Sequence, residues 1–244
     1  MKIVLCMLVR NELPCLKILL PQIPKTGKDV GYDEVVAIDG MSTDGTVEFL
    51  KTNGVLVIEQ ERKGRGDAFH EAFAKVDADA YIFFSPDGNE AIDDLKKFRP
   101  LLEEKIDLVI ATRMVKGAVN EEDDKIFKWR KWANLSFNFL ANFFFRKTSH
   151  YVTDSINGYR AITKKAADLL NLDARGYTIE YQMTIRALRM GLKITEFPNK
   201  EGHRLLGKTR APSIPTGLAF LKCFFKELKK RSHHVNVTSN QKTS

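Results

Sequence analysis

The sequence predicts an α/β domain with a mostly parallel central sheet and helices on both faces. Three observations carry this expectation. Apolar runs of strand length recur through the first half and alternate with stretches of helical character, a pattern that sandwiches a parallel sheet between helices. Two of these runs stop at an Asp-Gly, one at Asp39-Gly40 and one at Asp87-Gly88. Between them lies a basic, glycine-rich turn, Lys63-Gly64-Arg65-Gly66.

The elements follow in order. Residues 2–9 are almost all apolar and read as a buried strand. Residues 12–20 read as a helix and 33–39 as the second strand. Asp44 is placed to cap a helix over 45–52, with Glu48 in its early turns. Residues 54–60 form a third strand, 65–76 a helix, 79–85 a fourth strand, 90–103 a helix and 106–111 a fifth strand. The charged stretch 116–124 reads as a loop. Residues 125–145 hold both tryptophans. There Ile126, Trp129, Ala133, Phe137, Leu140 and Phe144 share one helical stripe, with Trp132, Leu135, Phe139 and Phe143 beside it. Lys128, Lys131, Asn134, Asn138 and Asn142 form a narrow polar strip. So wide an apolar face belongs either deep in the protein or in a membrane interface. A further helix begins near Lys164, and another carries Glu180 early and runs to Met190. In 215–231, Leu218, Leu221, Phe225 and Leu228 share a face and Lys222, Lys226 and Lys229 another, as in a basic interfacial helix. The polar residues 232–244 are expected to be a disordered tail.

Composition narrows the classes. The 244 residues suffice for one domain. Cys6, Cys15 and Cys223 have no metal-ligand spacing, and an odd count argues against a disulfide framework, which fits a reducing cytosolic setting. The opening apolar stretch is too short for a signal peptide, and no run reaches the length of a membrane span. The net charge of +8 suits an anionic membrane or phosphorylated substrates. No nucleic-acid motif accompanies it, so no nucleic-acid partner is expected.

The chemistry-bearing residues gather at strand ends, where ligands of open α/β sheets bind. Asp39 and Asp87 would lie at one rim, with Arg10-Asn11-Glu12 after the first strand beside them. Carboxylates there can hold a ribose hydroxyl or a metal on a diphosphate. Lys63, Gly66 and Asp67 open a helix directly after a strand, a place that favours an anion. Arg204, Lys208 and Arg210 crowd three cations around Gly207, which suits a phosphate.

In this order the segments resemble a family 2 glycosyltransferase of the GT-A fold, in the branch of dolichyl-phosphate mannose synthases and polyprenyl-phosphate glycosyltransferases. Leu8-Val9-Arg10-Asn11-Glu12 stands for the family's Pro-Ala-Arg-Asn-Glu. Ile38 to Thr46 stands for Asp-Asp-Gly-Ser-x-Asp-Gly-Thr with one extra residue. Lys63 to Gly66 matches Lys-Gly-x-Gly, and Asp154 to Arg160 matches Asp-x-x-x-Gly-Phe-Arg with Tyr159 for Phe. Arg204 to Arg210 matches Arg-x-x-Gly-x-Ser-Lys. One departure stands out. Ser85 replaces the first acid of the Asp-x-Asp metal motif, leaving Asp87, with Asn89 where Gln often follows.

The resemblance implies one domain over 1–231, with a nucleotide-sugar-binding half (1–115) and an acceptor half with amphipathic helices (116–231). It implies transfer of a sugar, with inversion, from a nucleotide-diphosphate sugar to a polyprenyl phosphate. Leu8, Arg10, Glu12, Asp39, Lys63, Gly66 and Asp67 would bind the nucleotide. Asp87 and Asn89 would hold Mg²⁺ or Mn²⁺ in a site weakened by Ser85. Arg113, Arg204 and Arg210 would act with Asp87 in catalysis, the arginines by positioning the acceptor phosphate. Asp154, Glu180 and Lys208 would lie on the acceptor side. Many relatives carry membrane helices after this region, so the chain is expected on the cytoplasmic face of a membrane, peripheral, with a membrane-protein partner or as a homo-oligomer. Two other readings stay open: a soluble transferase acting on a saccharide or protein hydroxyl, which would need Glu180 or Asp154 as a base, and a non-catalytic nucleotide-sugar-binding protein.

Overall fold

The structure is a computed structural model, describing residues 1–24, 26–119, 129–202, 204–205 and 213–240. Seven strands form one sheet: β1 (Ile3–Val9), β2 (Glu34–Asp39), β3 (Leu56–Glu59), β4 (Ala80–Phe84), β5 (Leu108–Thr112), β6 (Arg160–Thr163) and β7 (Ile194–Pro198). Their spatial order is β3-β2-β1-β4-β6-β5-β7. β1 pairs in parallel with β2 and β4, as do β2 with β3 and β5 with β7. β6 alone runs antiparallel, wedged between β4 and β5. β1 therefore has a neighbour reached by leaving to one side and another reached by returning to the other, which opens a crevice beyond its carboxyl end.

Eight α-helices are α1 (Leu13–Leu19), α2 (Thr46–Thr52), α3 (Arg65–Lys75), α4 (Phe98–Glu103), α5 (Trp129–Phe145), α6 (Lys164–Leu170), α7 (Ile179–Met190) and α8 (Ser213–Asn240). They cover both faces. Leu16, Leu50, Phe98 and Leu102 pack with Ile3, Leu5 and Met7 on one face. On the other, Val4, Cys6 and Phe83 join Phe69, Phe137, Tyr181 and Phe224 in one apolar cluster that spans both halves of the chain.

Several expectations are corrected. The helix read over 90–103 divides into a 3₁₀ stretch at Ile92–Lys97 and α4. Asp44 does not occupy the cap position of α2, which is Gly45. It acts one residue earlier, accepting from Thr46 N–H at 3.0 Å and Leu13 N–H at 3.1 Å, so it ties two helix starts together. α8 runs on to Asn240, through residues read as a tail; no proline or glycine interrupts it there. Ile126 and Lys128, read as part of the fifth helix, lie outside the described residues.

α5 also turns opposite to a simple amphipathic expectation. Asn138 and Asn142, from the polar strip, are buried. Asn138 Oδ1 accepts from Ser155 N–H, and Asn142 pairs with both backbone groups of Val152. They satisfy the irregular backbone of 152–155, which has no ladder partner of its own. The exposed face is apolar: Trp132 is 69% and Phe143 70% accessible, with Phe139 at 54%.

Candidate active site

Two adjoining pockets open beyond the carboxyl ends of β1 and β4. The first is lined by Leu8, Arg10, Glu12, Gly40, Gln60 and Lys63 among others. The second is lined by Asn89, Glu90, Arg113, Glu180 and Glu201, with an apolar wall from Phe137 of α5 and Phe220 of α8. Arg65, Ser85, Asp87, Tyr177 and Arg204 line both, so the pockets meet at the end of β4.

The chain folds to this point for local reasons. Gly88 has φ +94°, and a Cβ there would come within 2.6 Å of Leu205 Cγ. The missing side chain lets Gly202 and Leu205 lie against the turn after β4, joined by Leu205 N–H to Asp87 O at 3.0 Å and Gly202 N–H to Asn89 O at 2.8 Å. That contact carries Arg204 to Asp87, whose carboxylate it meets at 2.5 Å. Gly64 and Gly66 are required for close packing, since a Cβ on either would strike a carbonyl of Ala174 or Arg175.

The expected site residues sort clearly. Leu8, Arg10, Glu12 and Lys63 line the first pocket. Asp39 is buried at the end of β2 and accepts from Ser42 N–H at 2.9 Å and Ser42 Oγ at 2.5 Å. It sets the loop after β2 and is not among the lining residues. Asp67, expected at the nucleotide, is turned onto Arg175 at 2.7 Å. Its N–H goes to the Arg175 carbonyl. Asp67 and Gly66 thus fix the start of α3 against the 174–175 backbone and stand outside the pocket lining. Asp154 is fully buried and grips Arg113 at two points, 2.8 Å to Nε and 3.0 Å to Nη2. Glu201 approaches the same guanidinium at 3.3 Å. Burial alone would lower the Arg113 pKa, but these two carboxylates outweigh it and raise it, so Arg113 is a fixed cation. Lys208 and Arg210 lie outside the described residues.

Among the lining residues that were not read from sequence as site residues are Arg65, Glu90, Tyr177 and Glu201. Glu90 accepts the Ser85 N–H at 2.7 Å, and burial, with Asp87 nearby, raises its pKa well above the ordinary carboxylate range. Arg65 gives its Nε to Glu180 Oε1, while its Nη1 stands 3.4 Å from Ser85 Oγ. Glu180 is 2% exposed in its side chain, and its Oε2 is buried without a hydrogen-bond partner. The signal for Arg65 was in the glycine turn itself, as the cation between its two glycines. Glu201 follows β7, whose existence was not read, so nothing marked it as a strand-end residue.

The donors expected for a divalent ion, Asp87 and the Asn89 side-chain oxygen, both line the second pocket. Asn89 Oδ1 is buried with no hydrogen-bond partner, as an oxygen meant for a cation would be. Among the described residues no group of three or more His, Cys, Asp or Glu side chains forms a metal cage. Two protein oxygens still fit a hard cation whose other ligands are diphosphate oxygens and water.

The helices around the second pocket converge on its apolar wall. Phe137 of α5 meets Phe220 of α8 with ring centroids 5.3 Å apart, and Phe144 meets Phe224 at 5.4 Å. Beyond them Trp132, Leu135, Phe139, Phe143, Leu218, Leu221 and Phe225 are exposed, with exposed Lys222 and Lys229 on α8. No helix among the described residues is long and apolar enough to cross a membrane.

Comparison with known proteins adds the family. The model of glycosyl transferase family 2 matches residues 5–164. The chain is similar to glycosyltransferase AglJ of Haloferax volcanii, 32% identical over 178 residues, 70% of this chain and 54% of that protein; it spans about half of AglJ. It is also similar to a dolichyl-phosphate hexose transferase of the same organism, 30% identical over 196 residues, 80% of this chain and 81% of that one. Among solved structures, glucosyl-3-phosphoglycerate synthase from Mycobacterium tuberculosis, in complex with Mn²⁺, UDP-glucose and phosphoglyceric acid, superposes with a TM-score of 0.66. It is 19% identical and matches over 93% of this chain and 80% of that chain, a likeness of fold.

Proposed function

The chain belongs to glycosyl transferase family 2, and on that premise we propose that it moves a sugar from a nucleoside diphosphate sugar to a polyprenyl-type lipid phosphate. The observation that carries this reading is the junction of two pockets at Asp87. The first sets Arg10, Glu12 and Lys63, carried beyond the strand ends, beside apolar Leu8, Val9 and Ile38. The second combines fixed cations with an apolar wall from α5 and α8, the helices that expose aromatic side chains. An acceptor with an anionic head and a hydrocarbon tail matches that combination. Similarity to a dolichyl-phosphate hexose transferase supports the same acceptor class.

The donor would lie in the first pocket, its base and ribose near Arg10, Glu12 and the loop set by Asp39, its diphosphate toward Lys63 and Asp87. A divalent ion held by Asp87 and Asn89 would neutralise the charge that develops on the departing diphosphate. The acceptor phosphate would enter the second pocket against Arg113 and Arg204. One of its oxygens attacks the anomeric carbon as the bond to the diphosphate oxygen breaks, which inverts the configuration there and releases the nucleoside diphosphate. A phosphate monoester is already mostly ionised at neutral pH, so the attack requires no protein base. This suits the site. Asp154 is committed to Arg113 at two points, and Glu180 gives one oxygen to Arg65. A hydroxyl acceptor would need a base, for which Glu180 and Asp154 are the expected candidates and Glu90 and Glu201 of the same pocket the further ones.

The exposed aromatic face of α5 and α8, with Lys222 and Lys229 beside it, supports docking on an anionic membrane surface, where the lipid acceptor resides. Turnover is tested with a panel of nucleotide sugars, Mn²⁺ or Mg²⁺, and a short polyprenyl phosphate. Release of nucleoside diphosphate that depends on the lipid phosphate is expected. No release from any donor would leave only a binding protein.

A further inference from the structure

Arg65 occupies the variable position of Lys63-Gly64-Arg65-Gly66 and opens α3. Its guanidinium crosses to Glu180 and lies against Ser85. Gly158 lies directly under that guanidinium, in the space a Cβ would take. Ser85 is also the position at which a carboxylate of the metal motif is missing. The two features have the same electrostatic sense. A negative charge is absent at the end of β4, and a positive one has been brought to the same spot. A plain partner for the buried Glu180 carboxylate would not need to reach Ser85 or line both pockets, as Arg65 does.

We propose that Arg65, clamped by Glu180 beside Ser85, is a diphosphate-binding group, and that nucleotide binding by this chain has a component independent of metal. The proposal rests on the reading of the first pocket as a nucleotide-sugar site. The guanidinium carries N–H donors beyond those given to Glu180 and Ser85, and its planar fork suits phosphate oxygens. The ion at Asp87 and Asn89 then shares its task with a charge built into the chain. Ser85→Asp alone would give Arg65 a second carboxylate partner instead of completing a metal site.

The test is binding of UDP and of GDP, measured by calorimetry in EDTA and again in Mn²⁺, together with Mn²⁺ affinity by electron paramagnetic resonance. Wild type should retain binding in EDTA. Arg65→Gln should weaken that binding at least tenfold, the loss of one charge-assisted phosphate contact, and weaken binding in Mn²⁺ by less. Arg65→Gln/Glu180→Gln removes both charges of the buried pair together and should behave alike if the single variant folds poorly. Ser85→Asp should leave Mn²⁺ affinity unchanged, and Ser85→Asp/Arg65→Gln should raise it. Unchanged affinity in EDTA for the folded Arg65 variants would overturn the proposal. So would wild-type binding that is wholly dependent on Mn²⁺, with the nucleotide site itself intact. Absence of binding to either nucleotide under every condition would overturn the nucleotide reading as well.

Discussion

At the scale of residues, charge placement decides what each side chain can do. Arg113 lines only the second pocket and is held from behind by Asp154 and Glu201. It is therefore the cleanest probe of the acceptor. Arg113→Lys keeps the charge that buried Asp154 requires but loses the two-point fork. The apparent KM for lipid phosphate should rise at least tenfold while donor affinity stays within about twofold; a donor defect with unchanged acceptor kinetics would reverse the assignment. Asp87→Asn should abolish turnover while costing little thermal stability, because its ion partner Arg204 is partly exposed and keeps solvent for its charge. Full activity in that variant would remove Asp87 from the chemistry. The strand-end acids were legible because Asp-Gly follows apolar runs. Their division of labour was not. Whether Asp39, Asp67 or Asp154 faces a ligand or a neighbour depends on Ser42, Arg175 and Arg113, and the latter two lie far away in sequence.

At the scale of elements, α8 is fastened by a buried ionic cluster. Glu227 has a fully buried side chain and meets Arg186 at 2.6 Å and Arg189 at 2.9 Å, and Lys226 and Lys230 of α8 reach Asp173. Burial pushes Glu227 up, but the arginines outweigh it and lower its pKa below the ordinary 4.5. Asp173 is likewise drawn below its ordinary 3.8 against the burial that opposes it, by Lys226, Gln182, Arg186 and Lys230. A carboxylate lowered on folding contributes stability that is complete above its unfolded value and lost as pH falls through its folded one. The share of stability that this cluster contributes, read as the difference between wild type and a Glu227 variant, should therefore be steady from neutral pH down to about pH 5 and decline below the ordinary carboxylate range. Glu227→Gln should remove about 3–5 kcal/mol at neutral pH, because it strands two arginines, and should flatten the acid decline; chemical unfolding at several pH values checks both. A neutral-pH cost below about 1 kcal/mol would mean that α8 docks by its phenylalanines alone. β1, β2, β4 and β5 were legible from apolar runs that are largely buried, and β3 from its apolar run although it is an edge strand with no buried residue. β6 was not, because it is four residues long and opens with Arg160, whose buried guanidinium is satisfied by the carbonyls of Ser155, Asn157 and Glu180. β7 was missed because two of its five residues are only partly buried, which breaks the run.

For the whole molecule, the candidate site and the exposed aromatic surface are joined by the same two helices, so on the proposed function membrane contact and acceptor capture would belong to one surface. Docking should be part electrostatic and part apolar. Each exposed lysine near an anionic leaflet contributes about 1 kcal/mol that salt screens, and inserted aromatics leave a salt-resistant remainder. Lys226 is ion-paired with Asp173, so Lys222→Glu/Lys229→Glu reverses the charge without loosening α8. Co-sedimentation with anionic vesicles should fall with salt for the wild type and be weaker throughout for the variant. If neither sediments at any salt, the aromatic face is covered by protein instead. The amphipathic character of both helices was legible; which face of α5 is outward was not, since it depends on Asn138 and Asn142 satisfying the 152–155 backbone. The central claim is transfer to a lipid phosphate, and one measurement addresses it most directly. A radiolabelled nucleotide sugar is incubated with the protein, vesicles and a divalent ion, with or without polyprenyl phosphate, and the label is partitioned between water and organic solvent. The account predicts organic-phase label that appears only with polyprenyl phosphate and is lost in Asp87→Asn. Label that stays in water, transferred to a saccharide or protein hydroxyl while polyprenyl phosphate accepts none, would contradict it.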